Sequence, residues 1–162
     1  MSIFDLFTRR RTTGSPALRR SVQQYQSASS PAGLHALYRQ LLDSTLVIML
    51  NQQAGGVKNG ALVTPRTGAR LEFVTSINRE SNTRVAPVFT DIESFTACFA
   101  MNAGSKRDTI IPHVLMRARD LLPILATSGM GMELRTDQTT MHIDGEVVGI
   151  LSQGRIPQGR QR

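Results

Sequence analysis

Apolar positions recur along the chain with two different periods, and the switches between them mark the elements. Leu34, Leu37, Tyr38, Leu41 and Leu42 stand at i, i+3, i+4, i+7 and i+8, one face of a helix. Ser30 and Pro31 precede them as an N-cap and a first-turn proline. The run TLVIML, 45–50, follows without alternation and carries β-branched residues, which predicts a strand covered on both faces. Residues 70–77 alternate, with Leu71, Phe73 and Thr75 on one side. The polar stretch NRESNT turns that segment into the extended apolar run Val85, Pro87, Val88 and Phe89, and the two segments are expected to pair as an antiparallel hairpin.

The stretch VAPVFTDIESFTACF, 85–99, organises the rest: a buried strand, a sharp turn and an amphipathic helix. Thr90 fits an N-cap, with Glu93 three residues on to complete a capping box. Asp91 and Glu93 place negative charge in the first turn, where the helix dipole favours it. Ile92, Phe95 and Phe99 share one face. Pro87, Phe89, Thr90 and Glu93 form the structural motif of this joint. Farther on, residues 110–116 predict a strand, with Pro112 at an edge or bulge. A helix starts near Arg119 or Asp120, holds Pro123 in its first turn, turns Leu121, Leu122 and Leu125 inward and ends at Gly129 and Gly131. Residues 132–135 and 139–143 read as short strands, Asp144–Gly145 as a hairpin turn, and EVVGIL, 146–151, as the last strand. The expected fold is α/β in the α+β sense: one compact domain with a mixed, largely antiparallel sheet and about three helices.

The ends differ from the body. Ile3, Phe4, Leu6 and Phe7 cluster ahead of Arg9, Arg10 and Arg11, a short amphipathic pattern suited to a partner groove or an anionic membrane face, or to folding back on its own domain. Ser15 and Pro16 open a second helical segment with Leu18, Val22 and Tyr25 on one face and Arg19 and Arg20 elsewhere. SASS, 27–30, reads as a linker. Residues 1–29 are therefore expected to form a basic helical or disordered extension, 30–151 the domain and 152–162 a basic disordered tail. Net charge supports the division. The chain carries +7; residues 1–20 hold five arginines against Asp5, and 152–162 hold Arg155, Arg160 and Arg162 without an acid. The body is then neutral, which disfavours nucleic-acid binding by the body itself.

Candidate chemistry is sparse. His35, His113 and His142 lie on different elements and lack metal spacing, and a single cysteine, Cys98, can form neither an intramolecular disulfide nor a zinc site. Gly55 and Gly56 do not fit a phosphate-binding loop. Arg117 and Arg119 would point the same way on a strand and could hold an anion, although a solvated face accounts for them more simply. No apolar run reaches the roughly 18 residues of a membrane span, and the arginines follow the N-terminal apolar cluster where a secretory signal would have them first. A cytoplasmic protein without a cofactor is expected.

The helix LYRQLLDS (37–44) leading into TLVIML, the hairpin ending in APVFTDIESF (86–95), and a later strand followed by Asp120-Leu121-Leu122 resemble the N-terminal domain of the SseB family, the bacterial enhanced-serine-sensitivity proteins, over roughly residues 31–150. The strand MELRTD, 132–137, departs from the Asn-Pro with which the corresponding family strand ends. Longer family members carry a second domain for which 162 residues leave no room. The resemblance implies a compact α/β domain and brings no catalytic residues. The neutral body flanked by basic tails, with an apolar docking pattern in the N-terminal one, points to a non-enzymatic interaction module, an adaptor or regulator in a bacterial multiprotein system; the family's name makes a secretion-linked role conceivable. The candidate contacts are Ile3, Phe4, Leu6, Phe7, Arg9, Arg10, Arg11, Arg19 and Arg20. Two other readings stay open: a small-ligand sensor lined by residues 55–60 and 87–93, and tail-driven binding to nucleic acid or anionic membrane.

Overall fold

The computed structural model describes residues 13–52, 55–65, 71–100 and 111–158. In order, these form α1 (Pro16–Ser27), α2 (Pro31–Leu42), β1 (Thr45–Met49), β2 (Leu62–Val63), β3 (Ser76–Asn78), β4 (Thr83–Phe89), α3 (Ile92–Ala100), β5 (His113–Arg117), α4 (Ala118–Thr127), β6 (Gly131–Arg135), β7 (Thr140–Ile143) and α5 (Gly145–Ser152). The strands make one mixed sheet in the order β2-β5-β1-β4-β6-β7, with β3 paired to β4. The β1–β4, β1–β5, β3–β4 and β6–β7 pairs are antiparallel, and β2–β5 and β4–β6 are parallel. The α+β class and the single mixed sheet match the sequence reading, with five described helices where about three were expected.

Alternation along the strands sorts side chains to two cores. Leu46, Ile48, Val88, Val114, Met116, Met132 and Leu134 face one side, where α1, α2, α4 and α5 cover them. Val47, Phe89 and Leu115 face the other, beneath Phe95, Ile92 and Phe99 of α3. β1 is therefore buried on both faces, as its unbroken apolar run predicts. Pro87 sits inside β4 without loss of a ladder bond. The Thr90 amide donates to Arg135 O of the β6 side at 3.1 Å, so by alternation position 87 points its nitrogen the other way. There β4 passes from β3, paired up to Val85, to β1, paired from Val88, and the missing donor falls in the gap.

Several boundaries move, each for a physical reason. The EVVGIL segment is helix, not strand, and Asp144–Gly145 is not a hairpin turn. Asp144 Oδ1 accepts from the Val147 amide at 2.9 Å as an N-cap. Val148 and Leu151, three apart, bury themselves in the core beside α4, and this packing overrides the β preference of Val and Ile. Helix α4 starts at Ala118, one or two residues earlier than expected, which leaves Pro123 inside it and past its first turn. Its C-terminus is closed by Gly129 at φ +64°: the Met130 amide reaches Leu125 O and the Gly129 amide reaches Ala126 O, both at 3.0 Å. Gly131 opens β6 instead of ending the helix. β5 is an internal strand, and Pro112 precedes it, its carbonyl accepting from the Leu50 amide at 2.9 Å. The β3–β4 hairpin is present, but only Ser76–Asn78 pairs with β4. Phe73 bridges instead to Leu50 at the end of β1.

The largest change concerns α1. Leu18 and Val22 are fully buried in the main core against α2, so this helix belongs to the folded body and residues 27–30 are a turn between two packed helices. Ser15 does not cap α1. Its hydroxyl accepts from the Thr45 amide at 2.9 Å and donates to Thr45 O at 3.1 Å, fastening the start of α1 to β1.

Candidate interaction sites

The central joint is a three-way junction. Residues 13–15 run antiparallel to 90–92: Ser15 N donates to Thr90 O at 2.7 Å, and Ile92 N to Thr13 O at 2.8 Å. Gly14 holds φ +93°, and a Cβ there would meet Asp91 Cα at 2.6 Å and Thr90 O at 2.9 Å. The cap of α3 is Asp91, one residue later than the expected Thr90. Asp91 Oδ1 accepts from the Ser94 amide at 2.8 Å while Thr90 and Ser94 pair through their hydroxyls at 3.1 Å. Glu93 does not close a capping box. Its Oε2 forms an ion pair with Arg19 Nη1 at 2.7 Å, and Arg19 Nε lies 3.4 Å from the second oxygen of buried Asp91. The hydrogen bond to Glu93 raises the Arg19 pKa first; burial opposes it, and the charges of Asp91, Glu93 and Asp137 add to it. Asp137 also accepts Gln23 Nε2 at 3.0 Å, a second tie from α1.

Arg19, expected as a free cation of an extension, is thus engaged in the fold. Arg20 is exposed on α1. Ile3, Phe4, Leu6, Phe7, Arg9, Arg10 and Arg11 lie outside the described residues. Arg117 and Arg119 do not share a strand face: Arg117 ends β5, and Arg119 stands in α4 bound to Asp43 at 3.1 Å, with both partners largely exposed. Asn59 Oδ1 accepts from the His113 amide at 3.2 Å, and Gly60 N donates to His113 O at 3.0 Å. The His113 ring rests on Phe95 at 4.6 Å and donates from Nδ1 to Ile111 O at 2.8 Å. The 55–60 loop and α3 therefore meet across this ring. Cys98 packs half-buried with the aromatics of α3. Among the described residues no three His, Cys, Asp or Glu gather to hold a metal, and no helix is long and apolar enough to cross a membrane.

A groove absent from the sequence expectations lies on the helical side. It encloses about 600 Å³ between the C-terminal end of α1, the 29–31 turn, α2, the first turn of α5 and the 157–158 segment. Tyr25, Leu34, His35, Tyr38 and Val147 form its walls, and these include both tyrosines of the chain. Tyr38 is buried and its pKa is pushed up to about 12, by burial first, then by Tyr25 and Asp144. No residue of 55–60 or 87–93 lines this groove. A signal for it was present: Tyr25 and Tyr38 each continue the apolar stripe of one of two consecutive helices.

These features define a small α+β domain with helices massed on one sheet face and an aromatic-lined groove among them. The family model for the SseB protein N-terminal domain matches residues 18–130, and the chain belongs to this family. The match runs from within α1 to the end of the α4 cap, so β6, β7 and α5 lie beyond it. Comparison with curated proteins and with solved structures gave no match.

Proposed function

We propose that this protein is a non-enzymatic interaction module, an adaptor or regulator in a bacterial multiprotein system, and that the groove between α1, α2 and α5 is its docking face. The observation that carries this reading is the placement of both tyrosines, with Leu34 and Val147, around one open apolar groove. Tyrosine is enriched at interfaces because it buries a large apolar ring while keeping a polar tip. The joint is structural in the same sense: the Thr90 and Ser94 hydroxyls pair, Asp91 Oδ1 caps α3, and Asp91 Oδ2 faces Arg19 Nε at 3.4 Å. A secretion-linked setting is the narrower form of the proposal.

The test is cross-linking of the full chain in its native host, followed by reconstitution of any stoichiometric complex from purified components. The expected result is a reconstituted complex that loses affinity when Leu34→Glu is introduced. If no complex reconstitutes while a small molecule raises the melting temperature of the full chain, a ligand sensor replaces the adaptor reading. The groove's volume is within the range of small-molecule sites, roughly 300–1,000 Å³.

A further inference from the structure

Beyond α5 the chain doubles back. Gly154 stands at φ +71° and its amide donates to Leu151 O at 2.9 Å, so a left-handed turn closes the helix. Val147 lies in the first turn of α5, and Pro157, past the far end of the helix, lines the same groove as Val147. Residues 155–158 therefore run back along the helix and form one wall of the groove. Their hold on the body is slight. Ile156 is half-buried against the main core and Pro157 is half-buried, while Arg155 and Gln158 are exposed. Among the described residues no backbone hydrogen bond reaches 155–158. Their side chains contribute one, from Arg155 Nη1 to Gln153 Oε1 at 3.4 Å, at the exposed root of the segment. A segment with few apolar contacts and a solvated backbone opens at a far lower free energy than the core beside it. The facing wall is built differently: Tyr38 is buried, and α1 and α2 are locked together by buried Leu18, Val22, Leu37 and Leu41.

Resting on the reading of this groove as a docking face, we propose that residues 155–158 are a strap, hinged at Gly154 and anchored by Ile156, whose opening and closing sets access to the groove. A hinge at the end of an element absorbs its motion in one or two backbone angles. A Cβ at Gly154 would meet nothing nearer than Arg119 Nη1 at 3.9 Å, so this position is constrained by its left-handed backbone and not by space. The anchor is one apolar side chain, and its release breaks no backbone hydrogen bond among the described residues. The strap is a wall and not a plug, because about 600 Å³ stays empty with it in place. Pro157, with φ fixed by its ring and no amide hydrogen to satisfy, gives that wall a stiff apolar tip. A guest that touches Pro157 favours the closed strap and leaves more slowly than one held by the helices alone.

The chain has two tyrosines and no tryptophan, and both tyrosines line the groove, so its intrinsic emission reports on this site. Acrylamide quenching of that emission in the full-length protein measures access, with far-UV circular dichroism showing that each variant is folded at the temperature used. Gly154→Val, which cannot hold the left-handed turn, and Ile156→Ser, which removes the anchor, are expected to steepen the quenching. Gly154→Asn tolerates the left-handed turn and should quench like the wild type. Ile156→Ser lies outside α5 and guards against an effect of Gly154→Val on the helix end alone. In the wild type the amides of Ile156 and Gln158 should exchange with deuterium well ahead of those of Val148 to Leu151. Unchanged quenching in Gly154→Val or in Ile156→Ser, steeper quenching in Gly154→Asn, or protection of 156 and 158 equal to that of α5 each overturns the strap. The strap is read in the free protein and the docking face in a reconstituted complex carrying Leu34→Glu, so either can fail without the other.

Discussion

At the scale of single residues, the junction around Asp91 decides most. Gly14 has a left-handed backbone and no room for a Cβ, because the opposing atoms are backbone. Gly14→Ala should cost about 2–3 kcal/mol in urea denaturation, combining the strained φ with displacement of the 90–92 segment. Arg19→Met should cost a similar amount, about 2–3 kcal/mol, because it leaves buried Asp91 without its cation. Adding Asp91→Asn to Arg19→Met should cost less than the two single changes together, and a double-mutant cycle reads that coupling. Tyr38 supplies a pH test. Its folded pKa lies above the ordinary 10.0, so the folded state keeps a proton that the unfolded state gives up. The associated stability is intact below pH 10 and is lost as pH rises toward 12, by at most about 2–3 kcal/mol. Denaturation at pH 9 and pH 11 should show this loss in the wild type and a smaller one in Tyr38→Phe.

At the scale of elements, helix α5 shows where local patterning stops being informative. Glu146–Leu151 is β-branched and follows Asp-Gly, which favours a hairpin. The same Asp144 is an equally good helix cap, and the choice between them rests on α4, whose inner face buries Val148 and Leu151. Asp144→Ala should therefore destabilise the fold by about 1 kcal/mol through loss of the cap, with Asp144→Ser retaining most of it. A hairpin turn would lose little in either case, so equal melting temperatures for both variants and the wild type would contradict the helix. Elements fixed by their own composition were legible in advance: α2 by its stripe and Ser30-Pro31 start, β1 by its unbroken apolar run, and the β3–β4 hairpin by its polar turn. The start of α3 was legible to within one residue. The choice of Asp91 over Thr90 depends on Arg19, which another helix brings in. Of the groove only the tyrosines were legible, as members of two helical stripes; that they meet was not, because three helices and a C-terminal segment form the groove and no local pattern reports their packing.

At the scale of the whole molecule, the question is where the body begins. Basic charge and the SASS stretch suggested a boundary near residue 29, because composition records charge and punctuation but not contact. In the structure α1 crosses that boundary: Leu18 and Val22 are fully buried, Ser15 is bonded to β1, and Gln23 and Arg19 reach Asp137 and the α3 cap. Removing α1 would expose the α2 surface beneath it and delete one wall of the groove. Two buried aliphatic side chains alone are worth about 2–4 kcal/mol each when lost, against a total stability of about 5–15 kcal/mol for a domain. The full chain should therefore melt in one cooperative transition. A chain of residues 30–162 should melt far lower or without a cooperative transition. Circular dichroism melts of the two chains decide the matter. If the shorter chain melts like the longer one, α1 is a detachable arm, and the groove it helps to form is open to rearrangement when a partner binds.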